Sequence, residues 1–213
     1  MKKIYLLVVL AFICLKISVK AQDLPNFGLS GGYTYPSGVY TDIHDFTYKP
    51  VYNGGIFAEF DRLDHLFINT GFMFSQEETG PIVLKPEVKD PKDFASNMMF
   101  EYVDIYGRMK WSYQIVKHIN FYYTAGLYAG YLFYGSYTND NKTIYATSNM
   151  HRANGGPQGG IGLNFQISKI KIDIGAIGEY GFFYTVKDLP YRGTIYAAGV
   201  LTTIGISYPL DLE

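Results

Sequence analysis

The sequence has little cysteine and little charge, and these scarcities exclude several classes of protein. Cys14 is the only cysteine among 213 residues and lies close to the N-terminus, so no disulfide framework can stabilise the rest of the chain. Lys and Arg number 18 against 19 Asp and Glu. Nucleic-acid binding usually requires a basic excess, which this chain does not have.

Long hydrophobic runs are also missing after the first residues. No later segment reaches the 18 or so consecutive apolar residues of a transmembrane helix. Any membrane span must therefore be built from strands. The composition favours strands as well, with 21 Tyr, 15 Phe and 23 Gly.

The N-terminus predicts export. A short basic start precedes an apolar run over residues 4–15, and Ala21 offers a small residue for cleavage. This pattern is typical of a secretory signal peptide. We expect residues 1–21 to be removed and residues 22–213 to form one domain. Four lysines lie in the removed segment, so the mature chain carries 14 basic and 19 acidic residues, a formal charge of −5.

Hydrophobic alternation of period two predicts strands long enough to cross a bilayer, which takes about 9 to 11 tilted residues. An even number of such strands suits a closed antiparallel barrel. The alternating segments lie near residues 27–35, 51–60, 66–75, 101–111, 119–134, 156–167, 170–184 and 194–208.

The connections between these segments alternate in length. Three are long and polar, at residues 36–50, 76–100 and 135–155, and three are short, at residues 61–65, 112–118 and 168–169. Membrane barrels have this asymmetry, with long extracellular loops and short periplasmic turns. The sequence therefore predicts an all-β fold, an eight-stranded antiparallel up-and-down transmembrane β-barrel. The predicted location is the cell outer membrane.

The charges within the strands predict which face points inward. All of them fall on the parity opposite the aliphatic residues, and a Lys or Arg facing lipid at mid-membrane would cost about 2 to 4 kcal/mol. We expect these charges to face the lumen and form a structural polar network. They are Glu59, Asp104, Arg108, Lys110, Lys171, Asp173 and Glu179. The aliphatic parity carries Ile56, Ile68, Ile105, Leu127, Leu163, Ile174 and Val200.

Aromatic residues on the aliphatic parity cluster at both ends of the strands. Amphipathic rings favour the headgroup level, so two such rings indicate membrane interfaces. Near the short turns stand Phe27, Phe60, Trp111, Phe121, Phe165 and Tyr208. Near the long loops stand Tyr35, Tyr52, Phe74, Phe133, Phe182 and Tyr196.

Several segments resemble one known family. They are "GIFAEF" (55–60), "LFINTGFMFS" (66–75), "TAGLYAGYL" (124–132), "GGIGLNF" (159–165) and the closing "GISYPL" (205–210). They are similar to the small outer-membrane β-barrels of Bacteroidota, which include the PorT-like proteins. The resemblance implies an outer-membrane barrel, and in its sharpest form an accessory role in protein secretion.

No motif indicates catalysis. The four histidines, His44, His65, His118 and His151, fall in predicted loops or turns, without a His-Glu-x-x-His spacing or a partner cysteine. The run "GGPQGGIG" (155–162) lacks the Lys-Ser/Thr of a phosphate loop, and we expect its glycines to relieve crowding in a narrow barrel. We predict no catalytic, cofactor or metal site, and a protein that is not an enzyme.

Function stays open among four readings. The first is a monomeric barrel of structural or interaction type, surrounded by outer-membrane lipid. A protein partner would then meet loops 76–100 and 135–155, because binding is usually placed on loops of a rigid scaffold. The second is a narrow channel or transporter. The third is a lipid-modifying enzyme, and the fourth is a secreted soluble barrel that binds an apolar ligand.

Overall fold

The computed structural model describes residues 25–36, 39–40, 43–84, 97–139, 142–145, 152–184 and 195–209. The expected signal peptide lies outside these residues. The described chain forms strands β1 (Asn26–Pro36), β2 (Val39–Tyr40), β3 (Ile43–Lys49), β4 (Val51–Leu63), β5 (Leu66–Leu84), β6 (Asn97–Val116), β7 (Ile119–Asn139), β8 (Lys142–Tyr145), β9 (Ala153–Ile167), β10 (Ile170–Tyr184) and β11 (Ile195–Pro209). Among the described residues there is no helix that is long and apolar enough to cross a membrane.

Eight of these strands close into a barrel. They pair in the order β1-β4-β5-β6-β7-β9-β10-β11, and every pair is antiparallel. β11 then pairs with the whole length of β1, from Asn26 opposite Pro209 to Pro36 opposite Gly199. The predicted eight-stranded antiparallel barrel is confirmed. The short strands β2, β3 and β8 pair with β11, β5 and β7.

The short connections are tighter than the sequence predicts. Residues 61–63 and 112–116, predicted as turn, continue β4 and β6, so Asp64-His65 and Lys117-His118 alone make the turns. Backbone pairing continues here beyond the end of the hydrophobic alternation, so the alternation alone did not predict these strand residues. Ser168-Lys169 forms the third turn, as predicted.

Each of these turns contains one residue with a left-handed backbone. The φ angles are 74° at His65, 68° at His118 and 56° at Ser168. Histidine enters the left-handed region more readily than most residues, whereas β-branched residues rarely do. The two histidines therefore have a conformational reason to occupy the turns.

The long connections are shorter than the sequence predicts. Residues 76–84 and 97–100 extend β5 and β6, with Gln76 opposite Glu101 and Thr79 opposite Met98. Residues 135–139 and 153–155 likewise belong to β7 and β9, and 43–49 form β3. The polar run Gln76 to Thr79 begins the β5 extension and interrupts the alternation, so the period-two signal disappears although the backbone pairing continues.

The two faces of the wall have opposite character. Large apolar side chains on the outer face are exposed, for example Ile56, Leu127 and Ile204 at 56%, 64% and 57%. The inner face contributes a buried cluster of Phe57, Met73, Tyr106, Tyr128, Ile177 and Leu201. This is the arrangement that the charge parity predicts: apolar side chains face lipid, and aromatic and polar side chains fill the interior.

Aromatic side chains from different strands lie close together at both ends of the outer face. At the loop end, the ring centroids of Tyr33 and Tyr52 lie 5.0 Å apart, and Phe74 lies 5.7 Å from Phe133. At the turn end, Trp111 stacks on Tyr123 with 5.0 Å between centroids. The apolar band between these rings is the part of the wall suited to the hydrocarbon core.

Candidate functional site: the polar lumen

An ion cluster crosses the lumen near its turn end. Lys110 Nζ lies 2.7 Å from Glu59 Oε2 and 2.8 Å from Asp173 Oδ1. Lys171 Nζ reaches Glu59 Oε1 at 3.4 Å, and Asn164 Nδ2 donates to Asp173 Oδ1 at 3.1 Å. The four charged groups are two cations and two anions, so the cluster is balanced. Balance is what buried charges require, because an unpaired charge in a low dielectric is costly.

The cluster joins strands that are far apart in the barrel. Lys110 on β6 reaches Glu59 on β4 and Asp173 on β10. Around the closed wall, β4 and β6 are two strands apart, β6 and β10 are three apart, and β10 and β4 are three apart. The Lys110 ammonium also lies 4.6 Å from the centroid of the Tyr122 ring. The lumen is thus bridged from three sides at one level.

Arg108 lies one step further from the turns on the same inner face of β6. Its guanidinium carbon lies 3.8 Å from the centroid of the Tyr106 ring. Among the described residues no carboxylate comes within ion-pair distance of Arg108, and its buried Nε has no hydrogen-bond partner. The structure therefore does not bring Arg108 into the ion cluster.

Acidic groups occupy the loop half of the lumen. The Ser75 hydroxyl donates to Asp104 Oδ2. Three carboxyl groups interact electrostatically with one another there, those of Glu77, Asp104 and Glu179. Glu179 also interacts electrostatically with Arg108. Of the seven charges predicted to face the lumen, four meet in the ion cluster, and the other three, Asp104, Arg108 and Glu179, lie above it without an ion pair among the described residues.

A small cavity of about 50 Å³ lies between these two regions. Its polar lining comes from Asn69, Arg108, Lys110, Thr124, Tyr122 and Asp173. Glycine shapes the wall beside it: a Cβ at Gly162 or Gly175 would overlap the Tyr122 ring. Gly162 belongs to the run at 155–162, whose glycines the sequence predicts to relieve crowding, whereas Gly175 lies on β10 outside that run.

Sequence reasoning missed some residues of this lumen. Glu77 was assigned to a loop, yet it continues the inward-facing series of Met73 and Ser75 on β5. Extending the period-two count past the apolar band would have found it. For Thr124 the sequence offers only its inward-facing position in the strand, and no motif marks it as part of a site.

The histidines and acidic groups of the described chain do not have the geometry of a metal site. Within that part of the molecule, no group of three or more His, Cys, Asp or Glu side chains could hold a metal ion. His65 and His118 lie in turns, and His65 stacks on Tyr113 with 5.5 Å between centroids. His151 lies outside the described residues, and His44 belongs to β3 but its side chain is outside the described part.

A closed antiparallel barrel with an apolar band outside and a packed polar lumen defines an integral outer-membrane protein. The family comparison agrees: residues 19–185 match the outer membrane protein beta-barrel domain. This chain belongs to that family, and its place is the cell outer membrane. The comparison with curated proteins found no match.

Solved structures show the same fold at low sequence identity. Neisserial surface protein A, from Neisseria, superposes with a TM-score of 0.51 at 12% identity, covering 86% of this chain and 97% of that chain. OprG from Pseudomonas aeruginosa gives a TM-score of 0.55 at 10% identity, covering 91% of this chain and 100% of that chain. At these identities the likeness concerns the fold alone.

Proposed function

We propose that this protein is a non-conducting, non-enzymatic barrel that presents its extracellular strands to a protein partner. The observation that carries the proposal is the bridged lumen, in which Lys110 joins Glu59 and Asp173 across the interior. Eight-stranded barrels have an interior just wide enough for side chains to fill. With the interior filled, the surface that remains for function is the part outside the membrane.

Within the described residues, that outer part includes a sheet that continues the barrel wall. β5, β6 and β7 contain 19, 20 and 21 residues, against 15 in each of β9, β10 and β11. Residues 76–84 of β5 alone add about 30 Å of strand beyond Phe74. β3 pairs with this extension of β5, and β8 pairs with the end of β7. A sheet of five hydrogen-bonded strands can present side chains at defined positions, which favours recognition of a folded partner.

The resemblance to PorT-like proteins supplies a more specific version, an accessory role in protein secretion. The partner would then be a component of a secretion machine in the same membrane. The proposal predicts that deletion of this chain reduces the export of particular secreted proteins without altering membrane lipid. Unchanged export would remove the secretion role and leave the wider proposal of a protein partner intact.

Site-specific crosslinking tests for the partner directly. A photoreactive residue in place of Lys49 or Arg152 lies at the loop end of the barrel, and both positions are exposed. We expect both to capture the same protein in living cells. Ile115 is the matched control, because it is also exposed but lies at the turn end of β6, at the other end of the barrel. A photoreactive residue there should not capture the partner. Capture of the same protein from Ile115, or of nothing from the outer positions, would contradict the proposal.

The second candidate is a narrow channel. The polar cavity beside Arg108 favours it, because a space of about 50 Å³ lined by charged side chains lies within the lumen. A conducting path would have to pass the ion cluster, which joins three strands at one level. Planar-bilayer recordings separate the two candidates, since only a channel gives discrete conductance steps.

A further inference from the structure

The mid-lumen cavity gathers three hydrogen-bond donors on one patch of the wall. Lys110 on β6 lies directly opposite Thr124 on β7, and Arg108 lies opposite Gly126. Gly126 has no side chain, so the β7 position directly opposite Arg108 leaves space beside it. Side chains of Arg108, Lys110 and Thr124 all line the cavity.

Two of these donors have no partner within the described chain. Arg108 Nε and Thr124 Oγ1 are both buried, and neither makes a hydrogen bond there. Both residues are only 8% exposed. A buried polar atom without a partner is destabilising, more so when it carries charge. The shared cavity is the space in which a ligand could satisfy both.

The charges around the cavity decide the sign of that ligand. Asp173 also lines it, but its Oδ1 already accepts from Lys110 and Asn164. Glu59 and Asp173 balance Lys110 and Lys171 within the ion cluster. Glu179 lowers the potential at Arg108 without forming an ion pair with it in the described structure. The guanidinium is therefore a charge at the cavity wall that has no ion-pair partner among the described residues, with Glu179 acting on it only at longer range.

We propose that this cavity binds a small monovalent inorganic anion such as chloride. Arg108 Nε and the Thr124 hydroxyl donate to the anion, and the Tyr106 ring holds the guanidinium in place. A volume of about 50 Å³ accommodates a halide with one or two waters and excludes a large organic anion. Water alone would satisfy the hydrogen bonds and leave the charge of Arg108 unmatched. This site does not depend on the proposed partner.

Halide-dependent stability tests the site. The protein is refolded in detergent micelles in sodium bromide or in sodium gluconate at equal ionic strength, and the urea midpoint of unfolding is measured. We expect a higher midpoint in bromide. Thr124→Val, which removes the hydroxyl at nearly constant volume, should weaken the bromide response about tenfold in half-saturating concentration. Arg108→Gln should abolish the response.

Lys49→Met is the control, because Lys49 pairs with Glu78 at the surface and should keep the full bromide response. Crystals grown in sodium bromide supply a second readout that does not need Arg108→Gln to fold. An anomalous peak within hydrogen-bond distance of Arg108 Nε is the expected result. Equal midpoints of the wild type in bromide and gluconate, or a cavity without a bromide peak, would overturn the proposal.

Discussion

Lys110 and Glu59 form an ion pair of 2.7 Å across the lumen, between strands that are both neighbours of β5. Their side chains are 5% and 2% exposed. Lys49 and Glu78 form a pair of the same length at the surface, with side chains 52% and 27% exposed. The same chemistry at two levels of burial gives an internal comparison of what the lumen cluster contributes to stability.

Lys110→Met should lower the free energy of unfolding by about 3 to 5 kcal/mol, because Glu59 and Asp173 would be left buried without their shared cation. Lys49→Met should cost at most about 1 kcal/mol, because water solvates the surviving carboxylate of Glu78. Urea titration of protein folded in lipid vesicles measures both. Similar losses for the two variants would mean that the lumen pair contributes no more than a surface pair.

Glu59→Gln added to Lys110→Met should recover part of that loss, since it removes one of the stranded charges. The double-mutant cycle isolates the interaction between the two residues. Strict additivity of the two single losses would show that the contact seen in the structure carries no coupling energy.

Met109→Lys should destabilise the barrel by about 2 to 4 kcal/mol in a bilayer, because Met109 lies on the apolar band. Ile115→Lys is the matched control: Ile115 has the outward parity of Met109 and is 59% exposed against 54%, but it lies at the turn end of β6. We expect its cost to be below about 1 kcal/mol. Equal costs would place the two positions at the same depth and contradict the assigned membrane band.

His118→Val should cost about 1 to 2 kcal/mol, because φ is 68° at this position and a β-branched side chain is strained there. His118→Asn should be nearly neutral. Lys117→Val, at the other turn position, keeps an ordinary backbone and serves as the control. If His118→Val folded with unchanged stability, the left-handed turn would not be the reason for histidine at this position.

Gly175→Ala should cost about 1 to 3 kcal/mol, because its Cβ would overlap the Tyr122 hydroxyl. Tyr122→Phe removes that oxygen, so the double variant should recover most of the loss. Gly178→Ala, whose Cβ would have its nearest neighbour at 3.7 Å, should be neutral. Absence of rescue in the double variant would show that the cost has a different origin.

The barrel, its eight strands and its two faces were predictable from the sequence, because one face meets lipid and the other meets packed side chains. Ile105 and Asp104 are adjacent in sequence and differ in exposure, 53% against 4%. Alternation of this strength leaves a period-two signal at every crossing. The signal ends at the membrane boundary, so the extensions of β5 and β6 were predicted as loop.

The contacts within the lumen were not predictable from the sequence. Lys110 and Glu59 are 51 residues apart, and only the register of β4, β5 and β6 brings them to one level. Arg108 lies on the same inward-facing side of β6 as Lys110, yet among the described side chains no carboxylate lies within ion-pair distance of it. The odd or even position of a residue assigns its side chain to one face of the wall. Whether two inward side chains form an ion pair depends on the stagger of the strands and on how far along the barrel axis each residue lies, and no local sequence pattern encodes either.

The central claim is that side chains close the lumen and leave function to the outer surface. Planar-bilayer recording of the purified wild-type barrel tests this claim most directly. The bridge between Lys110, Glu59 and Asp173 predicts a membrane that stays electrically silent after insertion of the protein is verified. Discrete, reproducible conductance steps from the wild-type protein would contradict it.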